Sequence, residues 1–339
     1  MPGDSGAEDH EWMAEAVQLG RSVRTSTSPN PWVGAVVVPD GDQPVALGAT
    51  QPPGGPHAEV VALELAGSSA RGATVYVTLE PCSHHGRTGP CADALISAGV
   101  RRVVVGVLDP DPNVSGTGIE RLRHAGVEVD VGVGATDVEA SLAPYLAHRR
   151  TGRPWVVLKL AATLDGRIAA PDGTSKWITG PEARADVQQL RAESDAILVG
   201  AGTVKADDPA LTARVEGGRN PWRVVLGELA PEARAQPALV HRGPLEPLLL
   251  ELGERGVIQL LVEGGAGVAG SFHRAGLVDQ YVLYFAPAFM GGDDGLGLFA
   301  GPGATSMPEV WRGRISDVRR IGPDLRVDVL AGRGGSAVP

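Results

Sequence analysis

His57 and Glu59 stand two positions apart in Pro56-His57-Ala58-Glu59-Val60, and two cysteines bracket the run Cys82-Ser83-His84-His85-Gly86-Arg87-Thr88-Gly89-Pro90-Cys91. One imidazole and two thiolates make three good zinc donors. A structural zinc closes its shell with four protein ligands, whereas a catalytic zinc keeps three and leaves the fourth position to water. Zinc brings the pKa of such a water to about 7, and a carboxylate that is not a ligand can carry its proton. His57, Cys82 and Cys91 with Glu59 as proton carrier therefore read as an open, hydrolytic zinc site. His84 and His85 are alternative donors in the same run; the affinity of thiolates for zinc favours Cys82 and Cys91.

The competing reading is a disulfide. The chain has only two cysteines, and both fall in this stretch. No secretory signal opens the sequence, and stable disulfides are rare in the cytosol, so free thiols are expected. Zinc nucleobase deaminases carry His-x-Glu followed by Pro-Cys-x-x-Cys, and they attack the ring carbon that bears an amine. Here His57-x-Glu59 and Pro81-Cys82 match, but eight residues separate the cysteines instead of two.

A length of 339 residues suggests two domains, each able to bury its own core. No apolar run is long enough to span a bilayer, so a soluble, cytoplasmic protein is expected. The net charge of −10 argues against binding along a nucleic-acid backbone. A small anionic substrate would need local basic residues.

These residues must be placed by elements that the periodicity predicts. Residues before about Glu11 read as disordered, and Trp12, Ala16 and Leu19 mark a helix to about Val23. Val33–Val38 and Val45–Ala49 form a hairpin pair around Asp40-Gly41. A helix begins near His57, Thr74–Leu79 is a strand that delivers Cys82 at its end, and Cys91 starts a further helix. Two more strands (101–108 and 127–131) and a helix (119–125) complete an alternating α/β pattern, which implies a three-layer sheet. The join is placed at residues 147/148, with His148–Pro154 as a basic, breaker-rich linker after a helix through Val138, Leu142 and Leu146.

The second half begins with a strand at Pro154–Ala162 that carries Lys159. A helix follows from about Gly180-Pro181-Glu182 to Glu193, then strands at 196–199, 224–226, 238–241 and 259–262, with a Leu-rich helix at 245–255. Closing strands are expected at 279–287 and as a hairpin within 317–330. Between them, Glu263-Gly264-Gly265-Ala266-Gly267-Val268-Ala269-Gly270-Ser271 joins strand to helix, and backbone N–H groups at a helix start can cradle phosphate. The run contains Gly-x-Gly-x-x-Gly. It sits late in its domain, and Asp279 is too near to serve as the acid of a Rossmann fingerprint.

Several segments together resemble the bifunctional riboflavin-biosynthesis deaminase-reductases. They are Pro29-Asn30-Pro31-Trp32-Val33-Gly34, the His57 and Cys82–Cys91 runs, Leu164-Asp165-Gly166-Arg167, Trp177-Ile178-Thr179, Ala206-Asp207-Asp208-Pro209-Ala210-Leu211-Thr212 and Val262-Glu263-Gly264-Gly265. The wide cysteine spacing is that family's own. The resemblance implies a cytidine-deaminase-like three-layer α/β/α domain (1–147) followed by a dihydrofolate-reductase-like α/β domain (148–339). It implies zinc-dependent deamination of a diaminopyrimidine ribotide, then NADPH-dependent reduction of the ribosyl side chain to ribityl, by a homodimer or larger homo-oligomer.

By the same resemblance Asn30, His84 and Arg87 hold the pyrimidine and its ribose phosphate. NADPH lies against Ala161, Trp177, Thr203 and Asp207 and along Gly265, Ala266, Gly267, Val268, Ala269, Gly270 and Ser271, while Ser175, Arg191, Arg214 and Glu263 hold the second substrate. Lys159 and Asp207 are acid-base candidates. Gly89, Gly227 and Glu228 depart from the family pattern, the last two in the nucleotide contact, where Asp and a small hydroxyl are expected. Two other readings stay open. One is a deaminase for another pyrimidine with a repurposed second half, and the other a noncatalytic zinc scaffold, which the open zinc position beside Glu59 disfavours.

Overall fold

The computed structural model describes residues 5–41, 43–83, 89–111 and 114–332. The chain divides into two compact units, residues 1–152 and 153–339. In the first, α1 (Ser5–Ser22) and α2 (Arg24–Thr27) precede the antiparallel pair β1 (Gly34–Val38) and β2 (Ala46–Ala49). Then come α3 (Ala58–Ala66), β3 (Thr74–Leu79), α4 (Cys91–Ala98), β4 (Arg102–Val107), α5 (Thr117–His124), β5 (Glu128–Val131) and α6 (Ala135–Thr151). The sheet order is β2-β1-β3-β4-β5, with β1 antiparallel to β3 and the last three strands parallel.

Two close approaches show why helices cover both faces of this sheet. A Cβ on Gly34 would overlap the carbonyl oxygen of Ala16 in α1, and one on Gly48 would overlap that of Ala58 in α3. Gly48 pairs with Ala35, the neighbour of Gly34, and successive residues of a strand point to opposite faces. The helices therefore press on opposite sides. Tyr76 pairs with Val36 and so shares the α1 face, where its hydroxyl donates to Asp9 Oδ1 at 2.7 Å. All six residues of β3 are buried, as expected of a strand covered on both faces.

The second unit contains β6 (Trp155–Thr163), β7 (Arg167–Ala169), α7 (Pro181–Ala192), β8 (Ala196–Gly200), α8 (Ala201–Asp207), β9 (Trp222–Leu226) and β10 (Leu239–His241). It continues with α9 (Leu245–Glu254), β11 (Gln259–Val262), α10 (Ala266–Arg274), β12 (Gln280–Ala286), β13 (Leu296–Gly297), β14 (Gly313–Ile321) and β15 (Asp324–Ala331). The main sheet runs β10-β9-β8-β11-β6-β12-β15-β14; the first six strands are parallel, and β15 and β14 turn antiparallel. On one face Val156, Leu158, Ala196, Leu198, Leu260 and Val262 pack with Leu248, Leu249 and Leu252 of α9 and Phe272 of α10. Burying each such side chain contributes about 1.5–3 kcal/mol, enough to seat both helices.

The predicted strands and helices recur with shifted ends, and two expectations are corrected. The segment before Glu11 is helical from Ser5, because Met13 is fully buried and Asp9, 7% exposed, takes two 2.8 Å bonds from Arg102 of β4. Those partners are remote in sequence, so composition alone suggests a tail. The basic linker is also absent as such: His148–Thr151 form the last turn of α6, His148 is buried, and the helix ends at Gly152 with φ 73°. The expected join at 147/148 thus falls inside a helix, and glycine at the left-handed position supplies the stop.

The Asp9 cluster generates a test. The Arg102 bond, against the opposing effect of burial and together with Tyr76, holds the Asp9 carboxyl below the ordinary 3.8. A depressed carboxylate adds stability above its unfolded pKa and loses it as pH falls through the folded value. Arg102 retains Asp130 at 2.6 Å, so Asp9→Asn should cost only about 1–3 kcal/mol near neutral pH. The deficit, read from thermal unfolding and hydrogen exchange of α1, should shrink below about pH 4.

Candidate active sites

Each proposed zinc donor stands at an element boundary. His57 is the N-cap of α3, Cys82 follows the end of β3, and Cys91 is the first residue of α4. His57 Nδ1 lies 3.6 Å from Cys82 Sγ and 3.3 Å from Cys91 Sγ, and all three donor atoms fall within 4.8 Å of one another. A tetrahedral zinc with ordinary Zn–S and Zn–N bonds separates nitrogen from sulfur by about 3.6 Å. The three residues fit the ion. Both cysteines are free thiols, which removes the disulfide reading.

The electrostatics suit the same purpose. The hydrogen bond from the Cys91 thiol brings Cys82 well below its ordinary 9.0, opposed by burial and helped by His57. Giving that bond, together with burial, pushes Cys91 up. The bond to Cys82 also raises His57 above its ordinary 6.5. Glu59, in the first turn of α3 and 4% exposed, is pushed up to about 7 by burial and then by the Cys82 charge. A carboxyl poised near neutral pH can both take and return a proton.

Asn30 stands half-buried just ahead of β1, where its N–H donates to the Thr27 carbonyl at 3.0 Å. His84, His85 and Arg87 lie outside the described residues. The geometry therefore brings together His57, Glu59, Cys82 and Cys91.

In the second unit a cleft of about 1060 Å³ is lined by Ala161, Ser175, Trp177, Arg191, Thr203, Asp207, Arg214 and Glu263. That volume lies at the upper end of small-molecule sites, at about 300–1,000 Å³, and suits a dinucleotide beside a second ligand. Gly265, as N-cap of α10, and Ala266, Gly267 and Val268 line the wall, so the helix start presents free N–H groups as a phosphate needs. The cradle is shorter than expected. Ala269 is fully buried against the core, a Cβ on Gly270 would overlap the Ala300 carbonyl, and Ser271 bonds back to Gly267, so these three do not line the cleft.

Arg191 and Glu263 form a two-pronged pair at 2.7 and 2.8 Å, and Arg191 also donates to the Thr212 carbonyl at 3.2 Å. Burial would raise Glu263, but the guanidinium outweighs it and holds the carboxyl below its ordinary 4.5. Burial pushes the nearby Lys159 ammonium down. Asp207 pairs with Lys176 at 2.6 Å, and the exposed Trp177 ring stacks under Arg184 at 4.6 Å.

Some lining residues escape a sequence reading. Lys176, Arg184, Gln188 and Arg234 line the cleft, as does Leu211, whose φ of 52° is costly for a branched side chain. A backbone angle leaves no mark in residue types. The departure at Gly227 has a local cause: φ is 106°, a conformation that aspartate rarely adopts. Glu228 is exposed and pairs with Arg242 at 3.4 Å. The Leu164-Asp165-Gly166-Arg167 turn is structural: Asp165 accepts from Met290 and Gly291 N–H, and Arg167 donates to the Gly292 and Gly295 carbonyls. It anchors the segment that brings Leu296 to the cleft.

Comparison with known proteins gives each unit a family. Residues 7–107 match the cytidine and deoxycytidylate deaminase zinc-binding region, and residues 154–327 match the RibD C-terminal domain. The riboflavin biosynthesis protein RibD of Escherichia coli K12 is 42% identical over 94% of this chain and 98% of its own. The Mycobacterium tuberculosis H37Rv protein of the same name is 43% identical over 95% and 97%. Among solved structures, Acinetobacter baumannii RibD, form 1, superposes with a TM-score of 0.90 at 38% identity, covering 97% of this chain and all of that one. A Thermotoga maritima diaminohydroxyphosphoribosylaminopyrimidine deaminase/5-amino-6-(5-phosphoribosylamino)uracil reductase gives 0.87 at 35%, covering 97% and 100%. With both halves matched in order and nearly full length, the chain belongs to the RibD family of bifunctional riboflavin-biosynthesis proteins.

Proposed function

We propose that the first unit hydrolytically deaminates diaminohydroxyphosphoribosylaminopyrimidine and that the second reduces the ribosyl side chain of the product to ribityl with NADPH. The carrying observation is the metal-sized triangle of His57, Cys82 and Cys91 beside a buried Glu59. A zinc ion held by these three residues supplies Lewis acidity, which makes water reactive near neutral pH. Glu59 accepts a proton from the attacking water and returns it to the departing amine. The ring carbon exchanges its amino group for oxygen, and ammonia leaves. Asn30, His84 and Arg87 are assigned to the pyrimidine and its phosphate.

NADPH in the second cleft supplies a hydride, and the protein positions the partners. The N–H groups of Gly265–Val268 hold cofactor phosphate, with Ala161, Trp177, Thr203 and Asp207 along it. Ser175 and Arg214 face the substrate. Arg191 is already engaged by Glu263, so the pair acts as one unit, with the guanidinium oriented by the carboxylate. Lys159 and Asp207 are the candidates for the proton that completes reduction. Burial lowers the Lys159 pKa and makes its ammonium the readier donor.

The chain is placed in the cytoplasm, where thiol ligands stay reduced; among the described residues no helix is long and apolar enough to cross a membrane. A homodimer or larger homo-oligomer is supported by edge strand β14, along which Ile315 is 60% and Val318 52% exposed. An exposed edge strand that carries apolar side chains offers unpaired backbone groups to a second chain.

Mass spectrometry of the products tests the assignment. Incubation with the pyrimidine ribotide alone should exchange amine for oxygen, and two hydrogens should arrive only when NADPH is added. Glu59→Gln should slow deamination by at least about 100-fold and leave reduction of the deaminated intermediate intact; loss of both reactions would overturn separable sites. Zinc binding needs both sulfurs as thiolates and His57 neutral, so protons are released and the zinc Kd should fall as pH rises through neutrality, as read by chelator competition. Sedimentation should show an oligomer that Ile315→Lys dissociates; a monomeric parent chain would refute the assembly.

A further inference from the structure

Glu80 is a buried carboxylate, 4% exposed, two residues ahead of Cys82, and the deamination chemistry gives it no task. Its oxygens are turned away from solvent toward the start of α5. Oε2 accepts from Gly116 N–H at 3.0 Å, and Oε1 accepts from Gly118 N–H at 3.1 Å; Asp109 N–H adds a longer contact at 3.4 Å to Oε2. The fit is close, for a Cβ on Gly118 would overlap the Pro81 carbonyl oxygen. Thus α5 is seated directly against the Glu80-Pro81-Cys82 segment.

From that seat α5 reaches the segments that carry both sulfur donors. Arg121 donates to the carbonyl of Ser83, the neighbour of Cys82, at 3.3 Å. The same guanidinium binds the Asp93 carboxylate, two residues beyond Cys91, at 2.6 and 2.9 Å. Thr117 Oγ1 is 2.6 Å from Ser83 Oγ. One short helix therefore ties the end of β3 to the start of α4.

We propose that Glu80 is a positioning residue for the metal centre: by seating α5 it lets Arg121 bridge the Cys82 and Cys91 segments and hold the two sulfurs at metal-binding spacing. The inference rests on the zinc reading above and concerns affinity for the ion. Outer partners that orient ligands typically contribute about 10–100-fold in metal affinity. An amide in place of the carboxylate keeps one acceptor oxygen but turns an NH₂ toward backbone donors, so one of the two short bonds is lost.

The test is competition for zinc between the full-length chain and a chromophoric chelator. NADPH-dependent reduction by the same chain reports that the second unit is intact, and far-ultraviolet circular dichroism reports overall folding. Glu80→Gln should weaken zinc binding by about 10–100-fold, leave reduction unchanged, and regain deamination when zinc is in excess. Should that variant fail to fold, Arg121→Met, at a side chain 45% exposed, leaves the buried carboxylate in place and should still weaken zinc binding several-fold. Zinc affinity within twofold of the parent in folded Glu80→Gln overturns the proposal, as does the same result in Arg121→Met. A parent chain that binds no zinc at all overturns the metal reading itself, which separates the two failures.

Discussion

A metal-sized triangle is the constraint on which the first unit depends. Three donor atoms from positions 57, 82 and 91 must stay within 4.8 Å, although none can reach another through local structure. The spacing is reached because β3 is held between β1 and β4 with every residue buried, so the position of its end is fixed by packing. The approach of α3 to β2 at Gly48 sets where His57 arrives, and α4 starts at Cys91 with its N–H directed at Cys82 Sγ, 3.3 Å away. Close-packed interiors yield little to small displacements, which suits a site that tolerates only tenths of an ångström.

Burial has opposite consequences for two glutamates. Glu59 is removed from water, neither His57 nor the Cys91 thiol offsets that burial, and its carboxyl rises to about 7. Glu263 is partly buried, and the two-pronged Arg191 bond keeps it ionised. The first is suited to moving a proton, the second to holding a guanidinium still. Residue type is the same in both; the neighbour decides the chemistry.

Function in the second unit follows from sheet topology. Parallel strands β8 and β11 each run into a helix, α8 and α10, whose first residues line one cleft. Ligands in open α/β sheets collect at the carboxyl ends of strands for this reason. The turn at Asp165 and Arg167 adds a wall by anchoring the 290–297 segment, and so serves the cleft without entering it.

The residue order by itself determined that His57, Cys82 and Cys91 with Glu59 are the candidate site, together with the alternation of elements and the two-part organisation, because His-x-Glu, the paired cysteines and hydrophobic period are local signals. It also carried the glycine-rich helix start, though not its length: Gly270 contacts Ala300 from thirty residues downstream, and only packing shows that. The ordered helix at Ser5, the tasks of Glu80 and Arg121, the Arg191–Glu263 pair and the strained Leu211 were decided by tertiary structure alone. Each depends on a partner or a backbone angle that the folded chain imposes, and neither is encoded in spacing along the sequence.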